Sequence, residues 1–234
     1  MSLFAISDLH LAFGVKKPMD VFGYRWQGYM ERIEEQWLAT VTDSDTVLIP
    51  GDISWAINFA ELEKDILFIE RLPGKKIISK GNHDYWWETM NKLNKYTVGL
   101  DLKTISFLYN NAFETQGYVV CGTRGWRSPS EDAFSAEDQK IHARELIRFE
   151  MSLQEAMKIR NGKPLIAMLH YPPVDQLGKD FGFFELMKKY GVEKCVYGHM
   201  HGDSCSRAFE GEVDDMELKL VSADHLMFKP FLLK

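Results

Sequence analysis

A series of five short polar clusters contains five of the seven histidines in this chain. In chain order, the clusters are Asp8-Leu9-His10, Gly51-Asp52, Gly81-Asn82-His83-Asp84, His170 and Gly198-His199-Met200-His201. Carboxylate, amide and imidazole groups in combination suit divalent manganese, iron, zinc or cobalt, and no cysteine belongs to any cluster. The residue types therefore predict a metal centre assembled from distant parts of the chain.

The clusters differ in how specific they are for metal binding. Asp8 and His10 alone would fit an ordinary surface turn, and a Gly-Asp pair is equally common. The cluster Gly81-Asn82-His83-Asp84 is more specific, because it combines an amide oxygen, an imidazole and a carboxylate directly after an apolar run. It also lies at a predicted helix start, where Asp84 would fit a simple helix cap. The prediction therefore depends on the ordered set.

Short apolar runs rich in isoleucine, valine and leucine precede the clusters, and such runs predict strands that are buried on both faces. The predicted strands cover residues 3–7, 47–49, 77–78, 165–169 and 195–197. In open α/β sheets, ligands bind beyond the carboxyl ends of the strands. The five clusters are therefore expected to meet at one edge of the sheet structure.

Helical patterns alternate with these strands, which predicts the α/β class. They cover residues 27–41, 59–71, 84–93, 135–160 and 183–190. The longest of them places Arg144, Glu145 and Arg148 away from its apolar stripe, which predicts a scaffold helix with a solvated polar face. Hairpin signals in residues 104–123 and after residue 206 predict further strands that flank the sheets.

Composition limits the classes of protein to which the chain can belong. With 234 residues and 45% hydrophobic content, it is expected to form a single domain over residues 1–234. The net charge of -6 disfavours a nucleic-acid partner. Three cysteines without paired spacing predict a cytoplasmic protein, and no run approaches the ~20 apolar residues of a membrane span. The oligomeric state is left open.

The ordered clusters resemble those of the calcineurin-like metallophosphoesterase family, and the resemblance extends from Asp8 to His201. It implies a four-layer α/β/β/α sandwich of two mixed sheets around a dinuclear metal centre. Carried over by position, one ion takes Asp8, His10, Asp52 and His201, and the other takes Asp52, Asn82, His170 and His199. The resemblance also implies that His83 protonates the leaving group and that Asp84 fixes its tautomer.

A charge count explains why such a centre would act on phosphate esters. Two divalent ions supply about +4, Asp8 and Asp52 return about -2 and a bridging hydroxide about -1, so the centre stays positive by about one unit. It can therefore hold phosphoryl oxygens while the hydroxide attacks phosphorus in line. The sequence predicts a hydrolase of small phosphomonoesters or phosphodiesters.

Aromatic and basic residues near the clusters are candidates for substrate binding. Five tryptophans follow the predicted strands or their loops: Trp26, Trp55, Trp86, Trp87 and Trp126. They would either stack on the substrate, with Trp55 and Trp86 as the main candidates, or pack beneath the site. Arg124 and Arg127 would either bind phosphate through two hydrogen bonds or remain solvated at the surface. Residues 11–26 form a long aromatic segment that would suit a lid.

Two alternative functions share these features. A pyrophosphatase of nucleotide-linked or lipid-linked substrates would use the same metal ligands, and its lipid-specific relatives share the run from Asp8 to Leu11. The stretch from Gly51 to Trp55 lacks their acidic continuation, however, and no basic amphipathic helix marks a membrane contact. A non-catalytic scaffold on the same fold is the other alternative, and the complete set of ligands disfavours it.

Overall fold

The computed structural model describes residues 1–17 and 19–234, and these residues form two mixed β-sheets. The strands are, in chain order, β1 (Leu3–Ala5), β2 (Thr46–Pro50), β3 (Lys75–Ser79), β4 (Ile105–Phe107), β5 (Phe113–Thr115), β6 (Tyr118–Thr123), β7 (Leu165–Leu169), β8 (Val192–Tyr197), β9 (Gly211–Val213), β10 (Met216–Leu220) and β11 (Phe231–Leu232). The helices are α1 (Tyr29–Thr40), α2 (Phe59–Arg71), α3 (Met90–Gly99), α4 (Ala136–Ile159) and α5 (Phe183–Tyr190).

Parallel strands form the centre of both sheets. The first sheet has the order β11-β1-β2-β3-β4, in which only the β11 pairing is antiparallel. The second has the order β5-β6-β7-β8-β10-β9, in which β6, β7, β8 and β10 are parallel and the outer strands antiparallel. The predicted pattern of buried strands is confirmed, since every residue of β2 and β7 is buried.

Three apolar clusters fill the spaces between four layers of helices and sheets. Ile33, Ile66 and other side chains of α1 and α2 pack against one face of the first sheet. Leu48, Ile166 and neighbouring strand residues fill the space between the two sheets. Phe149 of α4, with side chains of α5, packs against the outer face of the second sheet. The predicted α/β/β/α sandwich is therefore confirmed, because each cluster joins one pair of adjacent layers.

Most predicted helices are confirmed, and one is wrong. Helices predicted at residues 59–71 and 183–190 have these bounds in the structure, and α4 begins after a capping box formed by Ser135 and Asp138. The helix predicted at 84–93 begins instead at Met90. Asp84 does not cap it, because its carboxylate accepts hydrogen bonds from the backbone N–H groups of other loops. Residues between Asp84 and Thr89 therefore remain a loop.

One residue on the polar face of α4 is buried rather than solvated. Glu145 is only 1% exposed and accepts a hydrogen bond from the Thr123 hydroxyl at 2.6 Å. The prediction that Glu145 faces solvent is therefore wrong, because α4 packs this face against β6, which ends at Thr123. In the part of the chain that the structure describes, no helix has the length and apolar character to cross a bilayer.

Candidate metal centre

Loops at the carboxyl ends of β1 and β2 run side by side and carry the first two clusters. The Asp8 N–H donates to the Gly51 carbonyl, and the His10 N–H donates to the Asp52 carbonyl, each at 3.0 Å. Asp8, His10, Asp52 and His199 all have left-handed backbones, with φ between 46° and 73°. This conformation is uncommon for residues other than glycine and is frequent at functional sites. The loop geometry therefore directs these side chains toward a common point.

The first group of metal-binding candidates contains Asp8, His10 and His201. The Nε2 atom of His201 lies 3.1 Å from Asp8 Oδ1 and 3.3 Å from His10 Nε2. One atom from each residue lies within 4.8 Å of the others. Asp52 also reaches this group, since its Oδ2 atom is 3.8 Å from His10 Nε2. These four side chains make up the set predicted for one ion.

A second group lies on the other side of Asp52. The Oδ2 atom of Asp52 is 3.4 Å from His170 Nε2. The Oδ1 atom of Asn82 is 2.7 Å from His170 Nε2 and 2.9 Å from His199 Nδ1. These are the residues predicted for the other ion. The Asp52 carboxylate thus lies between both groups.

The electrostatics of the two groups favour positive charge. Burial opposes ionisation of Asp8 and Asp52, but His201 and His170 hold the pKa of each carboxyl below its usual range. Burial also opposes protonation of His201, but Asp8 and Asp224 raise its pKa to about 10. Burial and nearby imidazoles keep His199 neutral, with a pKa of about 3. Asp52 also raises the pKa of His170, to about 9 against the effect of burial, so both His170 and His201 carry a proton beside the ionised carboxylates. A divalent metal ion held by these carboxylate, amide and imidazole groups would displace the two protons.

Residues 1–203 match the family model of calcineurin-like phosphoesterases. The chain belongs to this family. Together with the Asp/His groups described above, family membership makes the protein a metal-dependent phosphoesterase. The predicted resemblance is therefore confirmed. A comparison with curated protein sequences finds no match.

Solved structures share the fold of this phosphoesterase at low sequence identity. A protein of unknown function from Aquifex aeolicus, AQ665, is 17% identical, with a TM-score of 0.54 over 99% of this chain and 95% of that one. Phosphopantetheinyl hydrolase from Mycobacterium tuberculosis is 16% identical, with a TM-score of 0.55 over 94% and 88% of the two chains. The protein TT1561 of Thermus thermophilus is 11% identical, with a TM-score of 0.53 over 92% and 86%. At these identities the likeness carries the fold alone.

Side chains behind the phosphoesterase's metal centre fix the orientation of its candidate ligands. Asp224 accepts hydrogen bonds from His201 Nδ1 at 2.9 Å and from the Gly202 N–H at 2.8 Å. The hydroxyl groups of Ser7 and Ser222 both donate to Asp8 Oδ2. Such partners orient metal ligands and tune their basicity. The sequence interpretation did not include Asp224, although it follows the end of β10 as the other clusters follow their strands.

Asp84 connects loops instead of touching the His83 ring. Its fully buried carboxylate accepts the backbone N–H groups of Asp52 and Gly81 at 2.9 and 2.7 Å, as well as the Trp86 indole N–H at 3.0 Å. Among the described residues, the buried His83 Nδ1 atom has no hydrogen-bond partner. The prediction that Asp84 fixes the tautomer of His83 is therefore wrong, because Asp84 does not bind the His83 ring. Asp84 instead holds the loops that carry Asp52 and Asn82.

Three of the tryptophans pack beneath the metal centre. Trp55 stacks on the His10 ring at 4.7 Å, and its ring centre is 4.5 Å from that of His83. Trp26 makes an edge contact with His201 at 5.6 Å. Trp86 is 1% exposed, so its predicted contact with substrate is wrong. Of the two interpretations, packing beneath the site describes these three residues.

A cavity of about 590 Å³ opens beside His199. Tyr171 forms part of its wall and lies 4.0 Å from the His199 ring, measured between ring centres. Trp126 and Arg127 also line this cavity, and Arg127 forms an ion pair with Glu131 at 3.2 Å. Arg124 lines a different cavity, described below. The structure thus separates the two arginines that the sequence grouped together, and their roles in substrate binding stay predictions.

The segment from residue 11 to residue 26 lies beside the first metal group. Leu11 pairs with the loop after β2, since its N–H donates to the Ile53 carbonyl at 2.9 Å. Short 3-10 helices follow at Asp20–Phe22 and Tyr24–Trp26. The Lys17 ammonium lies 3.7 Å above the Trp55 ring. Residue 18 lies outside the described residues, and movement of the segment as a lid stays a prediction.

Proposed function

We propose that this phosphoesterase hydrolyses small phosphomonoesters or phosphodiesters at a centre of two divalent metal ions, of manganese, iron, zinc or cobalt. The observation that carries the proposal is the position of Asp52, whose Oδ2 atom is 3.8 Å from His10 and 3.4 Å from His170. When bound, the ions would supply positive charge for phosphoryl oxygens and would lower the pKa of a water molecule toward the neutral range.

Each metal-binding group has its own role in this proposal. Asp8, His10 and His201 would hold one ion, while Asn82, His170 and His199 would hold the other. The carboxylate of Asp52 lies between both groups and would help to hold the ion of each. Because the ligands follow the ends of parallel strands, their relative positions are fixed before substrate binds.

His83 is the proton donor to the leaving oxygen in this proposal. Its backbone N–H donates to Asp52 Oδ1 at 2.7 Å, which fixes it beside the metal groups. Burial lowers the pKa of the His83 ring. A phosphate anion bound next to the ring opposes this effect, because a nearby negative charge favours the protonated imidazole. The ring is thus able to carry a proton when substrate is bound.

The side chains that line the cavity beside His199 favour an ester whose leaving group is aromatic or otherwise apolar. Its walls include Trp126, Tyr171 and Phe209, with Arg127 and Arg207 among the lining residues. A volume of about 590 Å³ is in the range of small-molecule sites. These features support a small phosphoester over a nucleic acid, in agreement with the net charge of -6.

We place the activity in one domain that spans residues 1–234. The apolar cluster between the sheets joins Leu48 of the first sheet to Ile166 and Val196 of the second. The proposed ligands come from both sheets, so neither sheet alone would complete the site. This arrangement also supports catalysis over a role as an interaction scaffold.

The test is a set of hydrolysis assays on protein stripped of metal and then loaded with manganese, iron, zinc, cobalt or magnesium. The substrates are p-nitrophenyl phosphate for monoesters, bis(p-nitrophenyl) phosphate for diesters and ADP for pyrophosphate bonds. The proposal expects hydrolysis of a monoester or diester that disappears with chelation and returns with metal. Hydrolysis of ADP alone would support the pyrophosphatase alternative. Equal rates with and without metal would contradict a metal-dependent mechanism.

A further inference from the structure

A second cavity of about 370 Å³ lies at the same edge of the sheets as the metal centre, but none of the proposed metal ligands lines it. It is bounded by residues that follow β3 and β4, by the end of β6 and by the middle of α4. Its charged lining residues are Lys80, Glu88, Arg124, Arg144, Glu145 and Arg148.

The charged residues that line the cavity are mostly basic, whereas the chain as a whole is acidic. Four of its lining residues are cationic and two are carboxylates. The whole chain has 28 basic and 34 acidic residues, so a local excess of positive charge is not a result of composition. Like charges around a concave surface repel one another and focus a positive potential within it. An anion in the cavity would relieve this repulsion.

The two carboxylates leave much of this positive charge uncompensated. Glu88 pairs with Lys92 at 2.9 Å, outside the cavity lining. The buried Glu145 contacts two guanidinium groups, that of Arg148 at 2.7 Å and that of Arg124 at 3.4 Å. One carboxylate cannot neutralise two arginines, so Glu145 positions both groups while a net positive charge remains.

Aromatic rings also hold the two guanidinium groups in place. The Arg124 guanidinium lies 4.4 Å from the Trp126 ring centre, and that of Arg148 lies 5.1 Å from the Tyr109 ring centre. Stacked guanidinium groups keep their N–H donors in a fixed plane. The donors of this cavity are therefore oriented before any ligand binds.

Several donors around the cavity have no acceptor among the residues that the structure describes. Within the described residues, Lys80 and Arg144 form no side-chain hydrogen bond or ion pair, although Lys80 is only partly exposed. The Nε atom of Arg124 is buried and has no hydrogen-bond partner among the same residues. A buried N–H without a partner costs free energy unless a ligand or a water satisfies it.

We propose that this cavity is an anion-binding site for a phosphate, sulfate or carboxylate group, separate from the phosphoryl group at the metal centre. The anion is either a distal group of the substrate or a free ion. Lys80 is two residues before Asn82, and the Arg124 carbonyl accepts the N–H groups of His170 and Tyr171 at 3.0 and 2.9 Å. The cavity therefore shares its walls with the loops of the metal centre, while anion binding itself does not depend on the proposed function.

The first experiment is a calorimetric titration of the metal-loaded protein with sodium sulfate at constant ionic strength. Arg144→Glu is compared with Lys140→Glu, which changes an exposed lysine one turn earlier on α4 outside the cavity lining. We expect Arg144→Glu to weaken sulfate binding about tenfold or more relative to Lys140→Glu. Lys80→Ala is a second variant with the same expected direction. Equal affinities in the wild type and all three variants would overturn the proposal.

A second experiment separates the two sources of the anion. The substrates are the 5′-p-nitrophenyl phosphodiester of thymidine with and without a 3′-phosphate. If the cavity binds a distal group, Arg144→Glu raises KM only for the ester with the 3′-phosphate. If it binds a free ion, sulfate changes wild-type turnover of both esters, and Arg144→Glu removes this response. If neither ester is hydrolysed, the proposed function fails on diesters, while the sulfate titration still decides anion binding.

Discussion

Asp52 occupies its position between two histidine groups through contacts of its own backbone. Its φ of 52° is left-handed, a conformation that costs roughly 1 kcal/mol or more for a residue with a side chain. Its N–H donates to the buried Asp84 carboxylate at 2.9 Å, and its carbonyl accepts the His10 N–H at 3.0 Å. These hydrogen bonds offset the backbone strain and keep the carboxylate directed toward both groups.

The role of His83 is testable through the leaving group. Replacing His83 with alanine removes the proposed proton donor but no proposed metal ligand. Turnover of an alkyl phosphate is expected to fall about 100-fold or more, whereas p-nitrophenyl phosphate loses much less, because nitrophenolate leaves without a proton. The measurement is kcat for both esters at equal metal content. His225→Gln is the control, since this histidine pairs with Glu210. Equal losses for both esters would exclude a proton donor at this position.

Asp224 provides a test of the contacts behind the metal ligands. Asp224→Asn removes the negative charge next to His201 Nδ1 while keeping the size of the side chain. We expect metal affinity to fall about tenfold, because such partners raise the basicity of the ligating imidazole. Calorimetric titration with metal measures the change in affinity. The control is Asp203→Asn, which changes an exposed aspartate in the turn that follows His201. Unchanged affinity would show that Asp224 has only a structural role.

At the residue scale, the sequence identifies the candidate metal ligands but not the side chains that bind and orient them. The seven proposed ligands are chemically distinctive, and an ordered series of them is improbable by chance. Asp224 and Asp84 are ordinary carboxylates in sequence, and their partners include an imidazole and a backbone N–H group that are distant in the chain. Such partners become visible only after the chain folds. For this reason the sequence alone does not reveal the contacts of Asp84 and Asp224.

At the scale of elements, the loops of the metal centre depend on glycines that permit close approach. A Cβ on Gly81 would lie 2.1 Å from Asp52 Oδ1 and 2.2 Å from the Asp52 backbone nitrogen. A Cβ on Gly198 would lie 2.3 Å from Asp8 Oδ2. These positions require glycine for space, since a methyl group would displace the proposed ligands themselves.

Gly81→Ala is therefore expected to damage the site more than the fold. The Asp52 carboxylate must move, and a displacement of about 1 Å costs roughly 100-fold in turnover. The measurements are kcat, bound metal and circular dichroism. Gly99→Ala is the matched control, because a Cβ there would meet nothing within 4 Å. If both variants keep wild-type metal content and turnover, the packing of this loop does not position Asp52.

Elements with strong periodicity were predictable, and those defined by tertiary contacts were not. The patterns at 59–71 and 183–190 matched α2 and α5, because an amphipathic helix is encoded by its own residues. The pattern at 84–93 failed, because the loops of the metal centre use the Asp84 carboxylate for their own backbone groups. The burial of Glu145 is unpredictable for a similar reason, because its partners are Thr123 and two arginines that meet it only in the folded chain.

At the scale of the whole molecule, two stacked sheets bring the first and last clusters together. Val221, which follows β10, donates to the Tyr197 carbonyl at 2.8 Å, while its own carbonyl accepts the Ser7 N–H at 2.8 Å. This contact joins the edge of the second sheet to the end of β1 in the first. It allows His201 to reach Asp8 at 3.1 Å. The sequence predicted the layers through family resemblance, whereas alternation of strands and helices indicated only the α/β class.

A comparison of Asp52→Asn with Asp101→Asn tests most directly whether a metal centre forms around Asp52. Both aspartates have left-handed backbones, with φ values of 52° and 57°, but Asp101 is exposed and distant in sequence from every cluster. The measurement is metal-dependent hydrolysis of phosphate esters, with bound metal determined on the same samples. We predict that Asp101→Asn retains wild-type metal content and rate, while Asp52→Asn loses bound metal and its metal-dependent rate. Wild-type hydrolysis and metal content in Asp52→Asn would contradict a centre built around this carboxylate.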